Sequence, residues 1–112
     1  MFEEIKYKLK KHFFRHMKDN DITLEDLRIK QLEGAEIIDV RSSREYKESH
    51  IKGSINIPEY EIDENFKNIV KNKDKPIVVY CSSGFRSTRA YKKLRDMGYS
   101  NVYNLYGGLD NY

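Results

Sequence analysis

The chain is 112 residues long, with 38% hydrophobic and 35% charged residues, which allows one core under a heavily solvated surface and leaves no room for a second domain of similar size. Its formal charge of +3 is uneven: residues 1–18 hold six basic side chains against Glu3 and Glu4, a local +4 that leaves −1 for the rest, so a basic footprint spread over the domain is excluded and no nucleic-acid partner is expected. One cysteine and three scattered histidines (12, 16, 50) exclude a disulfide framework and a cysteine-based zinc cluster and suit the reducing cytosol, and there is neither the apolar run of a secretory signal nor a transmembrane segment of roughly 20 apolar residues.

Phe2, Ile5, Leu9, Phe13 and Met17 recur at helical spacing with lysines on the other side. That predicts an amphipathic helix over 2–17, packed on the domain, with Glu3 and Glu4 suiting its first turn. A helix lying on a membrane or a partner is the alternative. Lys18-Asp19-Asn20-Asp21 breaks the pattern as a short linker, so the expected organisation is a helix and linker over 1–20 followed by a domain over 21–112.

Ile22-Thr23 suits a brief strand, and Thr23 with Asp26 three residues on caps a helix over about 24–32 that Gly34 ends. Glu36–Val40 is a strand, and Ser43 can cap a short helix over Arg44–Ser49. A turn at His50–Gly53 leads to an alternating strand, Ser54–Ile57, stopped by Pro58. Ile62, Phe66, Ile69 and Val70 mark one face of a further helix. Pro76 opens the apolar, β-branched run Ile77–Tyr80, which suits a strand buried on both faces. Ala90, Tyr91, Leu94 and Met97 line a helix that Gly98 terminates, Asn101–Leu105 is the last strand, and Gly107-Gly108 open a final turn. Strands alternating with helices predict an α/β domain with a mostly parallel sheet, whose ligands sit outside the carboxyl ends of the strands.

Cys81 stands at such an end, and Val40-Arg41 at another. The turn Ser82-Ser83-Gly84-Phe85-Arg86 can converge its backbone N–H groups on one point, and Ser87 or Thr88 can cap the helix that follows. A thiol at a helix N-terminus, with Arg86 returning positive charge across the turn, is expected to rest as the thiolate. Gly84 relieves crowding where the backbone turns inward. Of the other candidates, Asp39 ties down loops near the nest and Arg41 pairs with a carboxylate or contacts a donor. His50 fixes a turn by hydrogen bonding, Asn56 satisfies loop backbone groups, and the tyrosines at 80, 91, 99, 103 and 106 are core and rim packing.

Three ordered blocks carry a resemblance to the single-domain rhodanese-like, or sulfurtransferase, family over about residues 21–112. They are Ile37-Ile38-Asp39-Val40-Arg41 with Glu45; His50-Ile51-Lys52-Gly53-Ser54-Ile55-Asn56-Ile57-Pro58; and Val79-Tyr80-Cys81 through Gly84, Arg86 and Ser87, followed by Gly98 and Gly107-Gly108. The resemblance implies a three-layer fold with a central, mostly parallel sheet flanked by helices, to which the N-terminal amphipathic helix is an addition. It also implies that Cys81 takes a sulfane sulfur from a small anionic donor such as thiosulfate, or from a persulfide, holds it as a persulfide, and passes it to cyanide, a thiol or a protein acceptor. Substrate binding then falls to Ser82, Ser83, Gly84, Phe85, Arg86, Ser87 and Arg41, with Asp39, His50 and Asn56 structural, and no metal or organic cofactor is needed.

The cell-cycle dual-specificity phosphatases share this fold, but their loop is one residue longer than the four residues between Cys81 and Arg86. A phosphatase or arsenate reductase is disfavoured on that count. A sulfur carrier or regulatory module that docks a protein and turns over slowly is the second reading. The chain departs from the family's pattern at Ser82, where relatives often carry a basic or bulkier residue, and at Gly108–Tyr112, where many continue into a closing helix. The helix over 2–17 is expected to cover the apolar strip left there.

Overall fold

The computed structural model describes residues 16–112; the helix expected over 2–17 falls outside the described residues but for His16 and Met17, which are not helical, and its cover of an apolar strip falls outside them too. From Asp21 onward, strands and helices alternate. They are β1 (Asp21–Ile22), α1 (Leu24–Leu32), β2 (Glu36–Asp39), α2 (Ser43–Glu48), β3 (Ile55–Asn56), α3 (Phe66–Ile69), β4 (Ile77–Tyr80), α4 (Phe85–Asp96) and β5 (Val102–Leu105). Short 3-10 turns occupy Glu59–Glu61 and Leu109–Asn111. The strands form one parallel sheet in the order β1-β5-β4-β2-β3, with Ile38 opposite Val79 and Val79 opposite Asn104.

The period-2 alternation of the central strands sorts the core into two layers. On one face Ile38, Val40, Ile77, Val79 and Val102 pack with Phe66 of α3 and with Ala90 and Leu94 of α4. On the other, Ile37, Val78, Tyr80 and Leu105 pack with Leu27 of α1. The arrangement is thus the expected three layers, a central parallel sheet flanked by helices. β4 is buried along its whole length, so its exit, where Cys81 follows, is held on both sides.

Local chemistry shifts several boundaries. Thr23 caps α1 in a reciprocal box with Asp26, as expected. For α2 the cap is Ser42 rather than Ser43, because Ser42 Oγ accepts the Glu45 N–H at 3.2 Å while the Glu45 carboxylate accepts the Ser42 N–H. The strand expected over Ser54–Ile57 narrows to Ile55–Asn56, since the Ser54 N–H is taken by the Ile51 carbonyl. The helix expected to carry Ile62–Val70 shortens to Phe66–Ile69, because Asp63 Oδ1 accepts the Asn65 N–H at 2.8 Å and turns the chain there. Ile62, Phe66 and Val70 are buried nonetheless.

Tyr80 links the sheet to the segment before β3. Its hydroxyl is fully buried, accepts the Ile51 N–H at 3.1 Å and lies 3.0 Å from Ser54 Oγ; burial pushes its pKa up to about 12 against the pull of those bonds. Tyr80→Phe strands the Ile51 N–H and is expected to cost ~1–3 kcal/mol, read by urea denaturation. A loss below 0.5 kcal/mol would show that the Ile51 N–H finds another acceptor.

Candidate active site

β4 delivers Cys81 at its C-terminal end, and α4 begins only four residues later at Phe85. The connection is so short that Gly84 must reverse the chain with φ 101°, a left-handed conformation that suits glycine. Gly84 is the cap position of α4; Ser87 and Thr88, expected as caps, lie in its first turn, and their hydroxyls donate back to the Gly84 carbonyl at 3.2 and 2.7 Å. The tight turn brings backbone donors onto sulfur: Cys81 Sγ accepts the N–H groups of Gly84 at 3.1 Å and Ser87 at 3.3 Å. Ser87 Oγ lies 3.4 Å away as a third polar neighbour. Of the stretch 82–86 expected to form the nest, Gly84 therefore supplies a donor to Sγ, and Ser87 supplies the other. Cys81 and Ser87 are both fully buried. The first-turn amides of Phe85 and Arg86 have no intrahelical acceptor by helix geometry and remain for a second anionic atom.

A second loop holds the first in place. The Leu109 N–H donates to the Cys81 carbonyl at 2.8 Å, and the Asp110 N–H to the Ser82 carbonyl at 2.9 Å. This is possible because Gly108 has φ 75° and ψ 175° and no side chain. A Cβ there would lie 2.6 Å from Ser83 N and closer still to the Ser82 carbonyl.

Arg86 meets the carboxylate of Glu45 edge to edge, Nη1 on Oε1 at 2.7 Å and Nη2 on Oε2 at 3.0 Å. Its charge is therefore shared with Glu45 and does not face the sulfur alone, as the turn by itself suggests. Glu45 also accepts from Ser82 Oγ at 3.2 Å and from the Ser42 N–H, so one carboxylate joins the α2 cap, the loop and α4. Arg86 holds the Glu45 carboxyl well below the usual carboxylate range, and Glu45 in turn raises the Arg86 guanidinium.

Because the folded pKa of Glu45 is depressed, its contribution to stability is fully present above the unfolded value of about 4.3 and fades as pH falls toward the lower folded value. Both side chains are about one-third exposed, which holds the effect to about 1 kcal/mol. The wild-type advantage over Glu45→Gln is thus expected to be flat from pH 8 to 5 and to shrink below about pH 4.3, as measured by denaturation at each pH. An advantage that grows on acidification would overturn this role.

The remaining candidates are placed as follows. Asp39 is fully buried and takes the Arg41 guanidinium in a bidentate pair, with Nη2 on Oδ2 at 2.7 Å; Arg41 Nη2 also donates to the Ser49 carbonyl at 2.6 Å. Arg41 is 6% exposed, and its Nε and Nη2 are spent on these partners. Asn56 Nδ2 donates to the Asp39 and Arg41 carbonyls, joining β2 to β3. His50 stacks on Tyr46 with ring centroids 3.7 Å apart, and its Nδ1 lies 2.6 Å from the Tyr46 carbonyl; a carbonyl only accepts, so Nδ1 carries the proton. Ser83 and Phe85 stand exposed at the loop's rim, Phe85 at 74%. Glu45 and Gly108 were visible in sequence only as members of the blocks that carry the family resemblance, Gly108 also as a turn residue; their loop contacts join segments far apart in the chain. Among the described residues, no group of three or more His, Cys, Asp or Glu is placed to hold a metal ion, and no helix is long and apolar enough to cross a membrane.

The model of the rhodanese-like domain family matches residues 15–112. Among curated proteins, thiosulfate sulfurtransferase PspE of Escherichia coli is 42% identical over 72 residues, 64% of this chain and 68% of that protein. The tRNA uridine(34) hydroxylase of Sodalis glossinidius is 35% identical over 79 residues, 67% of this chain but only 22% of that protein. Among solved structures, the human single-domain sulfurtransferase TSTD1 superposes with a TM-score of 0.71 at 26% identity, over 83% of this chain and 94% of that one.

Proposed function

Because the chain belongs to the rhodanese-like domain family, we propose that it is a thiosulfate-type sulfurtransferase that carries a sulfane sulfur on Cys81. The observation that carries this reading is the pair of backbone N–H groups, from Gly84 and Ser87, aimed at Cys81 Sγ. They stabilise negative charge on sulfur without needing to reorganise during the reaction.

The thiolate attacks the outer sulfur of thiosulfate. The new Sγ–S bond forms as the old S–S bond breaks, and sulfite leaves with its electron pair. The persulfide anion then places its charge one atom further out, within the span of the remaining loop amides. Attack by cyanide on that sulfur releases thiocyanate and returns the electron pair to Sγ. Starting from the thiolate, neither step removes a proton, and the mechanism gives the imidazole of His50 no part in it. Glu45, which also accepts from Ser82, holds Arg86 at the loop's edge, where it can meet the sulfonate end of the donor. The cytoplasm is the proposed setting, where a single thiol stays reduced.

The sulfur-carrier reading keeps one point in its favour, the apolar Phe85 ring exposed where the Cys81 loop enters α4, which suits contact with a protein acceptor. Steady-state thiocyanate formation from thiosulfate and cyanide separates the two. Turnover saturating in thiosulfate and well above that of an equal concentration of free thiol supports the enzyme; a rate no faster than free thiol selects the carrier.

A further inference from the structure

Arg86 is the one charged side chain of the stretch Ser82-Ser83-Gly84-Phe85-Arg86-Ser87. The rest of the loop offers hydroxyls, backbone N–H groups and the exposed ring of Phe85, which adds apolar surface where α4 begins. Beyond the backbone, the pull of this loop on an anionic donor is therefore whatever remains of the Arg86 charge.

What remains is set by Glu45. Its carboxylate accepts from Arg86 Nη1 at 2.7 Å and Nη2 at 3.0 Å, from Ser82 Oγ at 3.2 Å, and from the N–H and Oγ of Ser42 at 3.2 and 3.0 Å. Anchored in the α2 cap, the loop and α4 at once, it stands beside Arg86 as a fixed countercharge. The Arg86 guanidinium is raised chiefly by its hydrogen bonds to Glu45, and further by the charges of Glu45, Cys81 and Asp39, so it lies in the field of the thiol as well as of its partner. Asp39 is in turn matched by Arg41, with Nη2 on Oδ2 at 2.7 Å. Two carboxylates thus face two guanidiniums, and within this group no cation is left over for the Cys81 thiolate. Its charge is met by the Gly84 and Ser87 N–H groups and by the N-terminal end of α4.

That balance discriminates by charge. One negative charge on a donor is met by the Arg86 N–H groups that Glu45 leaves unused and by the first-turn amides of α4. A second meets the field of Glu45 and of the thiolate with no further cation to offset it.

We propose that Glu45 is a specificity-determining residue for the donor, and that the site prefers an organic sulfane anion of single charge to dianionic thiosulfate. The proposal rests on the reading of Cys81 as a persulfide carrier. With a thiosulfonate, R–SO₂–S⁻, the Cys81 thiolate attacks the outer sulfur; the Sγ–S bond forms as the S–S bond breaks, and the sulfinate leaves with its electron pair. Thiosulfate reacts in the same way, as the less favoured donor.

Methanethiosulfonate tests this, because it is thiosulfate with a methyl group in place of one oxygen and one charge fewer. The rate constant for loading Cys81 is read by rapid quench and intact mass for each donor, at fixed ionic strength. The wild type is expected to load faster from methanethiosulfonate. Glu45→Gln removes the charge and keeps an acceptor for Ser42 and Ser82; it is expected to raise loading from thiosulfate about fivefold, the upper end for one partly exposed charge pair, and to change loading from methanethiosulfonate by less than about twofold. Glu45→Asp keeps the charge and holds the wild-type ratio of the two donors even where both rates fall. If Glu45→Gln does not fold, the wild type decides: sulfate half-inhibits loading at a higher concentration than methanesulfonate. An equal change for both donors in Glu45→Gln, as a merely structural role would give, or stronger inhibition of the wild type by sulfate, overturns the role of Glu45 while Cys81 still loads. Failure of the wild type to load from either donor overturns the persulfide reading and this proposal with it.

Discussion

Cys81→Ser is expected to lower thiosulfate:cyanide turnover by at least ~10³-fold, the scale on which loss of a covalent nucleophile acts. A serine hydroxyl stays protonated at neutral pH and forms no stable bond to a sulfane sulfur. The two amides on Sγ would then solvate a neutral oxygen and stabilise nothing that the reaction needs. The side chain is fully buried, so a polar replacement can also cost stability, and Cys81→Ala serves as the companion. Both variants should keep the native near-ultraviolet circular dichroism, and both should be inactive. Residual turnover in either above a few per cent of wild type would put the reaction elsewhere in the chain.

Gly108→Val is expected to be strongly damaging although it changes no residue of the Cys81 loop itself. Gly108 has a backbone conformation that is essentially restricted to glycine, and any Cβ collides with Ser82 and Ser83. The loops can separate only by losing the bonds from the Leu109 and Asp110 N–H groups to the Cys81 and Ser82 carbonyls. We expect a stability loss of about 2–4 kcal/mol and, at a temperature where the variant is folded, a turnover loss of about 10²-fold, the usual effect of a displacement near 1 Å. Thermal unfolding together with steady-state kinetics checks both. Wild-type activity in a folded Gly108→Val would show that the terminal turn does not position the loop.

The two central expectations of the sequence came from local signals. The run Ile77–Tyr80 is β-branched and continuous, and it proved to be a strand buried on both faces. Thr23 and Asp26 close a capping box within three residues. Cys81 could be placed at a strand exit because both flanking elements are strongly patterned. What escaped the sequence depends on distance along the chain. Glu45 and Arg86 are 41 residues apart, and nothing in either segment states that the cation meets that carboxylate. Gly108 reads as a turn residue, but its need to lack a side chain comes from Ser82 in another loop. The misplaced cap of α4 has a different origin: Ser87 and Thr88 are good capping types, but Gly84 turns the chain into the helix earlier through its left-handed backbone, and their hydroxyls bond back to its carbonyl instead.

The central claim, that Cys81 loads and discharges a single sulfur, is tested most directly by the intact mass of the protein after exposure to thiosulfate and again after cyanide. The account predicts a gain of about 32 Da, mapped to the Cys81 peptide, that cyanide removes with release of one equivalent of thiocyanate. No gain under excess thiosulfate, or a gain that persists in Cys81→Ser, would contradict it.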